Sequence, residues 1–327
     1  MNNSDLPTVT VAICTQNRAE QLRRGLQALT QVIVPENLEW EVLVVDNGSS
    51  DHTQQVILSF ADRLPIRLLV EERHGVSYAR NRAVGEAAGE YICWTDDDTH
   101  PHSNWLKGYL DAFVRHPDGA IFAGRVLPVL EGETPAWFLD NRHLLTDLLA
   151  RCDLGDEPKP LDTKAGEWPI GANFALRMKE QKCHSFHPEL GVSPRFKRLG
   201  EETAVIRAIC AEGGKAYYVP DTVVDHHIVE QRQSCDYILT YHRSAGETWA
   251  ALAHYGLAQF MGKPFPASSG PTLMGAPLWL WRLTAQNWIA YQWARFSSCP
   301  QAWLPHLQRY GYYRGALDFQ TAHRNDP

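Results

Sequence analysis

The sequence predicts a doubly wound α/β fold built on a mostly parallel sheet, and three observations carry that reading. Short runs rich in β-branched and aromatic residues alternate with helical patterns across residues 9–100. The runs are apolar without alternation, as expected of strands covered on both faces. Each run also ends in a polar cluster, and open α/β sheets bind ligands beyond the carboxyl ends of their strands.

The elements follow in order. "VTVAIC" (9–14) reads as the first strand and ends in "TQNR" (15–18). Leu22, Leu26 and Leu29 then recur at helical spacing. "WEVLVV" (40–45) is the second strand and ends in "DNGSSD" (46–51); Asp51 and Gln54 read as a capping box for the next helix. "IRLLVE" (66–71) is the third, ending in "ERHG" (72–75), and Ala79, Ala83 and Ala87 mark the helix after it. "YICW" (91–94) is the fourth, ending in "TDDD" (95–98). Strand–helix–strand repetition implies right-handed crossovers.

Residues 127–170 are rich in Pro, Gly and charge and read as a long insertion with a short helix in "TPAWFLDNRHLLTDLL". "GANFALRM" then reads as a strand, "GEETAVIRAICAEGG" as a helix closed by Gly213 or Gly214, and "KAYYVPDTVVDHHI" as two short strands interrupted by Pro220. Beyond about residue 230 the chain reads as a helical segment carrying six of the eleven tryptophans. The expected divisions are 1–126, an α/β half; 127–230, a half with a long insertion loop that completes the domain; and 231–327, the helical segment.

Composition narrows the function. The chain of 327 residues is 44% hydrophobic and 21% charged, in the range of soluble globular proteins. A net charge of −7 argues against a general nucleic-acid binder. The amino terminus lacks the pattern of a signal peptide, and no run is long enough for a membrane span. Seven scattered cysteines form neither a disulfide framework nor a CxxC pattern, and "CHSFH" (183–187) lacks a fourth zinc ligand. A cytoplasmic protein is the expectation. Residues 231–327 hold eight Lys/Arg against four Asp/Glu, which would suit peripheral contact with the inner face of a membrane. A dinucleotide fingerprint and a Walker A loop are both missing.

With "VAICTQNR", "EVLVVDNGSSDHT", "GVSYARNRAVGEAAGEYICWTDDD", "GANFALR" and "GEET" in view, the chain resembles the family 2 glycosyltransferases over roughly residues 8–230. The resemblance implies the Rossmann-like GT-A fold and an inverting transfer. The sugar would move from a nucleotide-diphosphate donor (a UDP-sugar first, a dTDP- or GDP-sugar otherwise) to a glycan, lipid-linked or other hydroxyl acceptor, in polysaccharide or glycoconjugate biosynthesis. It implies Mn²⁺ or Mg²⁺ as cofactor.

The same resemblance implies roles. Asp98 would bind the metal, with Asp96 and Asp97 facing the ribose and donor; carboxylate oxygen suits either ion, and a cation relieves the repulsion among neighbouring acids. His226, in preference to His227, would join the metal site. Asp46 would accept from the base, against the alternative of an Asx-turn with the Asn-Gly that follows. Thr15 and Asn17 would line the nucleotide, Thr15 being equally a turn or cap residue. Arg80 would approach the diphosphate. Asn173 would bind sugar hydroxyls or merely a turn. Glu202 would be the catalytic base, with Glu201 in reserve; the family commonly has Glu-Asp here, so Glu202 adds a methylene. Two other classes compete. A non-catalytic sugar-nucleotide or glycan-binding protein would not need the acid at 202. A sugar-1-phosphate nucleotidyltransferase would need a Gly-rich loop that "TQNRAEQ" does not supply.

Overall fold

A computed structural model describes residues 6–257, 265–266, 270–296 and 299–324. The element order is β1 (Val9–Thr15), α1 (Ala19–Leu29), β2 (Trp40–Asp46), α2 (Thr53–Leu58), β3 (Ile66–Val70), α3 (Val76–Glu86), β4 (Tyr91–Thr95), β5 (Thr99–Pro101), α4 (Trp105–Arg115), β6 (Gly119–Leu130), α5 (Ala136–Asp140), β7 (Lys159–Pro160), β8 (Asn173–Arg177), α6 (Met178–Gln181), α7 (Glu201–Ala211), β9 (Lys215–Ile228), α8 (Cys235–His254), β10 (Thr272–Leu273), β11 (Ala276–Pro277), α9 (Leu278–Arg295) and α10 (Pro300–Ala322).

The main sheet runs β3-β2-β1-β4-β8-β6-β9-β5, with β7 also paired to β9. Its first four strands are parallel, and β8 then runs antiparallel to both β4 and β6. The sheet is therefore mixed. Alternate residues of the parallel strands feed two cores. Val11, Ile13, Val42 and Val44 pack under Leu22 and Leu26 of α1 and Trp105 and Tyr109 of α4. Ala12, Leu43 and Val45 pack on the other face with Ala79 and Ala83 of α3 and Ile206 of α7. Burial on both faces is why these strands read as unbroken apolar runs.

One expectation is corrected here. Residues 215–228 form the single strand β9 instead of two short ones. Tyr217 and Tyr218 pair with β7, and Val224 to His226 pair with β5. Pro220 falls in the gap between these two short partners, where its missing N–H removes no bond to either.

The chain divides into two compact units. One comprises residues 1–129, 150–188 and 201–227; the other comprises 130–149, 189–200 and 228–327, so the two are interleaved along the sequence. The second unit is helical. Phe138, Leu145, Ile238 and Leu304 lie in one of its cores, and Trp249, Leu280 and Phe319 in another. Trp293 and Phe296 of the α9 end are exposed. No helix among the described residues is long and apolar enough to cross a membrane.

Helices α8 and α10 touch backbone to backbone. A Cβ at Gly246 would stand 1.7 Å from the carbonyl oxygen of Tyr312, and one at Gly315 would stand 1.8 Å from that of Arg243. Neither obstacle is a side chain that can turn away. Gly315→Ala should therefore force the helices apart and cost about 3 kcal/mol, the upper end of ordinary overpacking. Urea denaturation of the purified variant measures it, and a loss under about 0.5 kcal/mol would contradict the packing.

Candidate active site

The site is built from the carboxyl ends of β1, β2 and β4, the loop after β3, and the parts of the chain that close over them. After β4, the turn holding Asp96, Asp97 and Asp98 is pinned by its threonines. Thr95 and Thr99 share a hydroxyl hydrogen bond of 2.6 Å, and Thr99 also donates to the Asp96 carbonyl at 2.7 Å. The β5–β9 pairing sets Thr99 opposite His226. His226 Nε2 consequently lies 3.5 Å from Asp98 Oδ1, both side chains being buried.

Arg18 is the residue that sequence reasoning passed over. Its guanidinium forks the acid turn, with Nη1 on Asp97 Oδ1 and Nη2 on Asp98 Oδ2, each at 2.7 Å. Thr15 donates to the other Asp97 oxygen at 2.7 Å. Thr15 thus acts on the acid turn directly. The signal for Arg18 was present: a cation at the end of β1, on the edge where three adjacent acids need neutralising. Burial nonetheless pushes the Asp97 carboxyl up to about 7 against the opposing pull of Arg18, and pushes Asp96 up to about 6 against that of Arg80.

A consequence can be checked by stability. The folded state retains a proton on Asp97 that the unfolded chain, with its ordinary carboxyl near 3.8, has released. Stability from this group therefore falls as pH rises between those two values. Removing Arg18 raises the folded value further and deepens the fall. Arg18→Met should cost about 2 kcal/mol more at pH 8 than at pH 5, as read by urea denaturation at both. An equal cost at the two pH values would contradict the fork.

Asp46 is fully buried, and both its oxygens are engaged, Oδ1 by the Ser49 amide at 2.9 Å and Oδ2 by Gln54 Nε2 at 2.6 Å. Asp46 thus braces the loop after β2 through the amide three residues on. Gln54 does not close a capping box on Asp51. Asp51 instead accepts from the Thr53 amide at 3.0 Å and from Ala19 at the start of α1 at 3.3 Å. Asn47, also missed, fastens the loop after β3: its Nδ2 donates to the Glu71 and Arg73 carbonyls, and its Oδ1 accepts from Gly75.

Three of the expected ligand residues have protein partners of their own. Asn173 is completely buried. Its Nδ2 donates to the Arg125 and Thr222 carbonyls, and its Oδ1 accepts from Trp105 Nε1 and Tyr109 Oη. A fully satisfied core amide has nothing left for a sugar hydroxyl. Asn17, which is exposed, spends its side-chain oxygen on the Ser50 amide at 2.7 Å and the Asp51 amide at 3.4 Å and so shapes the loop after β2. Arg80 is buried beneath the site, 5.4 Å from the Trp94 ring and 5.5 Å from Phe186, where a diphosphate has no access in this arrangement.

What Arg80 does is join two acid groups. Its Nη2 lies 3.7 Å from Asp96 Oδ1 and 3.6 Å from Glu201 Oε1. Its Nη1 is buried with no hydrogen-bond partner among the described residues. Glu201 and Glu202 form the first turn of α7, where acids suit the helix dipole. They differ in setting: Glu201 is buried and Glu202 is half-exposed. Burial, reinforced by Glu202 and opposed by Arg80, pushes the Glu201 carboxyl up to about 8. That direction favours the protonated form of Glu201, and Glu202 is the more accessible of the two carboxyl groups.

The donor set was tested against a divalent ion. Among the described residues no group of three or more His, Cys, Asp and Glu is placed to hold a metal. Asp98 and His226 supply two donors, one carboxylate oxygen and one imidazole nitrogen. That fits an ion held by one or two protein groups and completed by substrate phosphates, and it would not suffice for a closed structural site. The Cys183–His187 stretch is no such site either: His184 faces Glu212 at 3.2 Å and Cys183 donates to the Lys179 carbonyl.

Comparison with known proteins agrees with this geometry. The sequence profile described as Glycosyl transferase family 2 matches residues 10–158. Glycosyltransferase AglE of Haloferax volcanii is 38% identical over 107 residues, covering 32% of this chain and 34% of that one. The succinoglycan biosynthesis protein ExoM of Rhizobium meliloti is 24% identical over 249 residues, 75% of this chain and 74% of that one. The chain thus spans about a third of the first relative and three quarters of the second. Among solved structures, the mannosyltransferase PcManGT of Pyrobaculum calidifontis, in complex with GDP-Man and Mn²⁺, superposes with a TM-score of 0.59 at 17% identity, over 99% of this chain and 89% of that one. The mixed sheet, with acids at its parallel strand ends, has the GT-A fold of the solved glycosyltransferases it resembles. The helical, aromatic-rich carboxy-terminal segment accompanies it. The match to the family 2 profile, residues 10–158, falls within the part of the chain that carries this sheet.

Proposed function

We propose that the protein transfers a sugar, with inversion, from a nucleoside-diphosphate donor to a hydroxyl acceptor in the synthesis of a glycan or glycoconjugate. The observation that carries this reading is the Arg80 bridge. It brings the acid turn after β4 and the acidic head of α7, about a hundred residues apart in sequence, onto one guanidinium. A group that handles the leaving diphosphate and a group that handles the acceptor proton thereby share one site.

Asp98 and His226 would hold Mn²⁺ or Mg²⁺, which when bound supplies charge stabilisation for the departing diphosphate. The Mn²⁺ in the PcManGT complex supports that choice of cofactor. Arg18 and Thr15 orient the acids. A UDP-sugar is placed first, with dTDP- and GDP-sugars as alternatives; the GDP-Man of PcManGT supports keeping the last. Glu202 takes the proton of the acceptor hydroxyl as that oxygen attacks the anomeric carbon from the face opposite the leaving group. The bond to the diphosphate breaks as the new glycosidic bond forms, so one displacement inverts the centre. The names of ExoM and AglE support a glycan or glycoconjugate product.

The test is nucleoside diphosphate release from a panel of UDP-, dTDP- and GDP-sugars with Mn²⁺. Release from at least one donor is expected. EDTA and Asp98→Ala should each reduce it at least about a hundredfold, the scale of losing one charge-stabilising group. Donor binding by calorimetry without release from any member would favour a binding protein and overturn the reading.

A further inference from the structure

We infer that Gly171 is a positioning residue for Glu202: the missing side chain at 171 is the space in which the Glu202 carboxylate sits. A Cβ built at Gly171 would lie 2.9 Å from Glu202 Oε1, 3.1 Å from its Cδ and 3.4 Å from its Cγ. All three neighbours belong to that one side chain. The glutamate folds its outer half across the glycine.

Backbone conformation does not explain the glycine. Gly171 lies outside the left-handed region that would favour glycine for its own sake. Alanine is therefore acceptable to the main chain at 171, and the nearest obstacle to it is the Glu202 side chain.

The turn that carries Gly171 is held more firmly than the glutamate. The Asn173 amide donates to the Ile170 carbonyl at 3.0 Å, and Thr95 donates to the Ala172 carbonyl at 3.2 Å. The Asn173 side chain is locked by four hydrogen bonds in the core. Glu202, half-exposed and rotatable about its side-chain bonds, must be the party that moves. An added methyl should leave the fold intact and displace the carboxylate. The same Thr95 hydroxyl bonds Thr99 in the acid turn, so the glycine turn and the metal-side acids are fixed to a common point.

This geometry also sets a length. With Gly at 171 a glutamate reaches across the turn. With a methyl at 171 the shorter aspartate, which stops one carbon earlier, relieves the closest contact, that with Oε1. Residues 171 and 202 are therefore coupled as a pair. The inference rests on Glu202 being the base, and the test separates the two.

The experiment compares wild type, Gly171→Ala, Glu202→Asp, the double variant and Glu202→Gln. Each is assayed for nucleoside diphosphate release with the fastest donor of the panel and Mn²⁺. Crystal structures of wild type and Gly171→Ala give a readout independent of donor. Gly171→Ala is expected to lower kcat roughly 30-fold with donor KM within about twofold, as a misplaced catalytic group does. In the Glu202→Asp background the same change should cost nothing further. The crystal structures should show the Glu202 carboxylate moved by about 1 Å with the 170–173 backbone unmoved. Unchanged kcat in Gly171→Ala, its full loss repeated on Glu202→Asp, or an unmoved carboxylate would each overturn the inference while Glu202→Gln remains dead. An active Glu202→Gln would overturn the base assignment, and the catalytic inference with it.

Discussion

Glu202→Gln is expected to lower nucleoside diphosphate release about a thousandfold, within the range that a positioned general base supplies. Glu201→Gln is expected to leave it within about threefold of wild type. The two residues are adjacent and chemically identical, so the contrast rests wholly on surroundings. Burial holds the proton on Glu201 up to about 8, so near neutrality it is already an uncharged donor beside Arg80. A neutral amide copies that state. Glu202 lies half-exposed against the glycine turn, in reach of an incoming hydroxyl, and an amide there cannot accept a proton. Steady-state assays of both variants with the responsive donor check this. Equal losses, or a greater loss at 201, would reverse the roles.

The second large effect is on stability and lies in the helical unit. Arg198 is almost fully buried, with Nε on Glu247 Oε1 at 3.1 Å and Nη1 on Glu189 Oε2 at 2.9 Å. Its guanidinium lies 4.0 Å from the Phe196 ring and 5.1 Å from Phe319. Arg198→Ala would leave two acids facing each other across an emptied aromatic cage. Removing one partner of such a network costs about 3–5 kcal/mol, discounted here to about 3 because both glutamates keep some contact with water. Tryptophan fluorescence during urea unfolding reports it, since Trp137, Trp249 and Trp303 pack in this unit. A loss under about 1 kcal/mol would show the network to be ornamental.

The parallel strands were legible in the sequence because burial on both faces leaves no alternation to misread. The polar strand ends were legible because a ligand edge must be polar. The antiparallel half was harder. Pro220 resembles a strand breaker until two separate partners are known to leave a gap opposite it. Asn173 was expected as a ligand because Gly171-Ala172-Asn173 resembles the family's small turn beneath the donor sugar. Its partners Trp105 and Tyr109 sit four residues apart on a distant helix, and nothing local announces them. Arg80 was expected at the diphosphate, and the fold sets it against Asp96 and Glu201. Periodicity could not show that α3 turns this residue inward. The Gly171–Glu202 contact depends on Cβ geometry, which no pattern of residue types encodes.

The interleaved chain path bears on synthesis. Arg198 waits for Glu247, about fifty residues downstream, and for Phe319, more than a hundred beyond that residue's own position. A ribosome delivering this chain would release the parallel strands well before α10 emerges. The helical unit, assembled from three separate stretches, must then close as one of the last events. No single cut in the sequence yields both units whole. Truncation ahead of α10 should strand Arg198 and its two glutamates in an unfinished nest, exposing surfaces suited to chaperone capture.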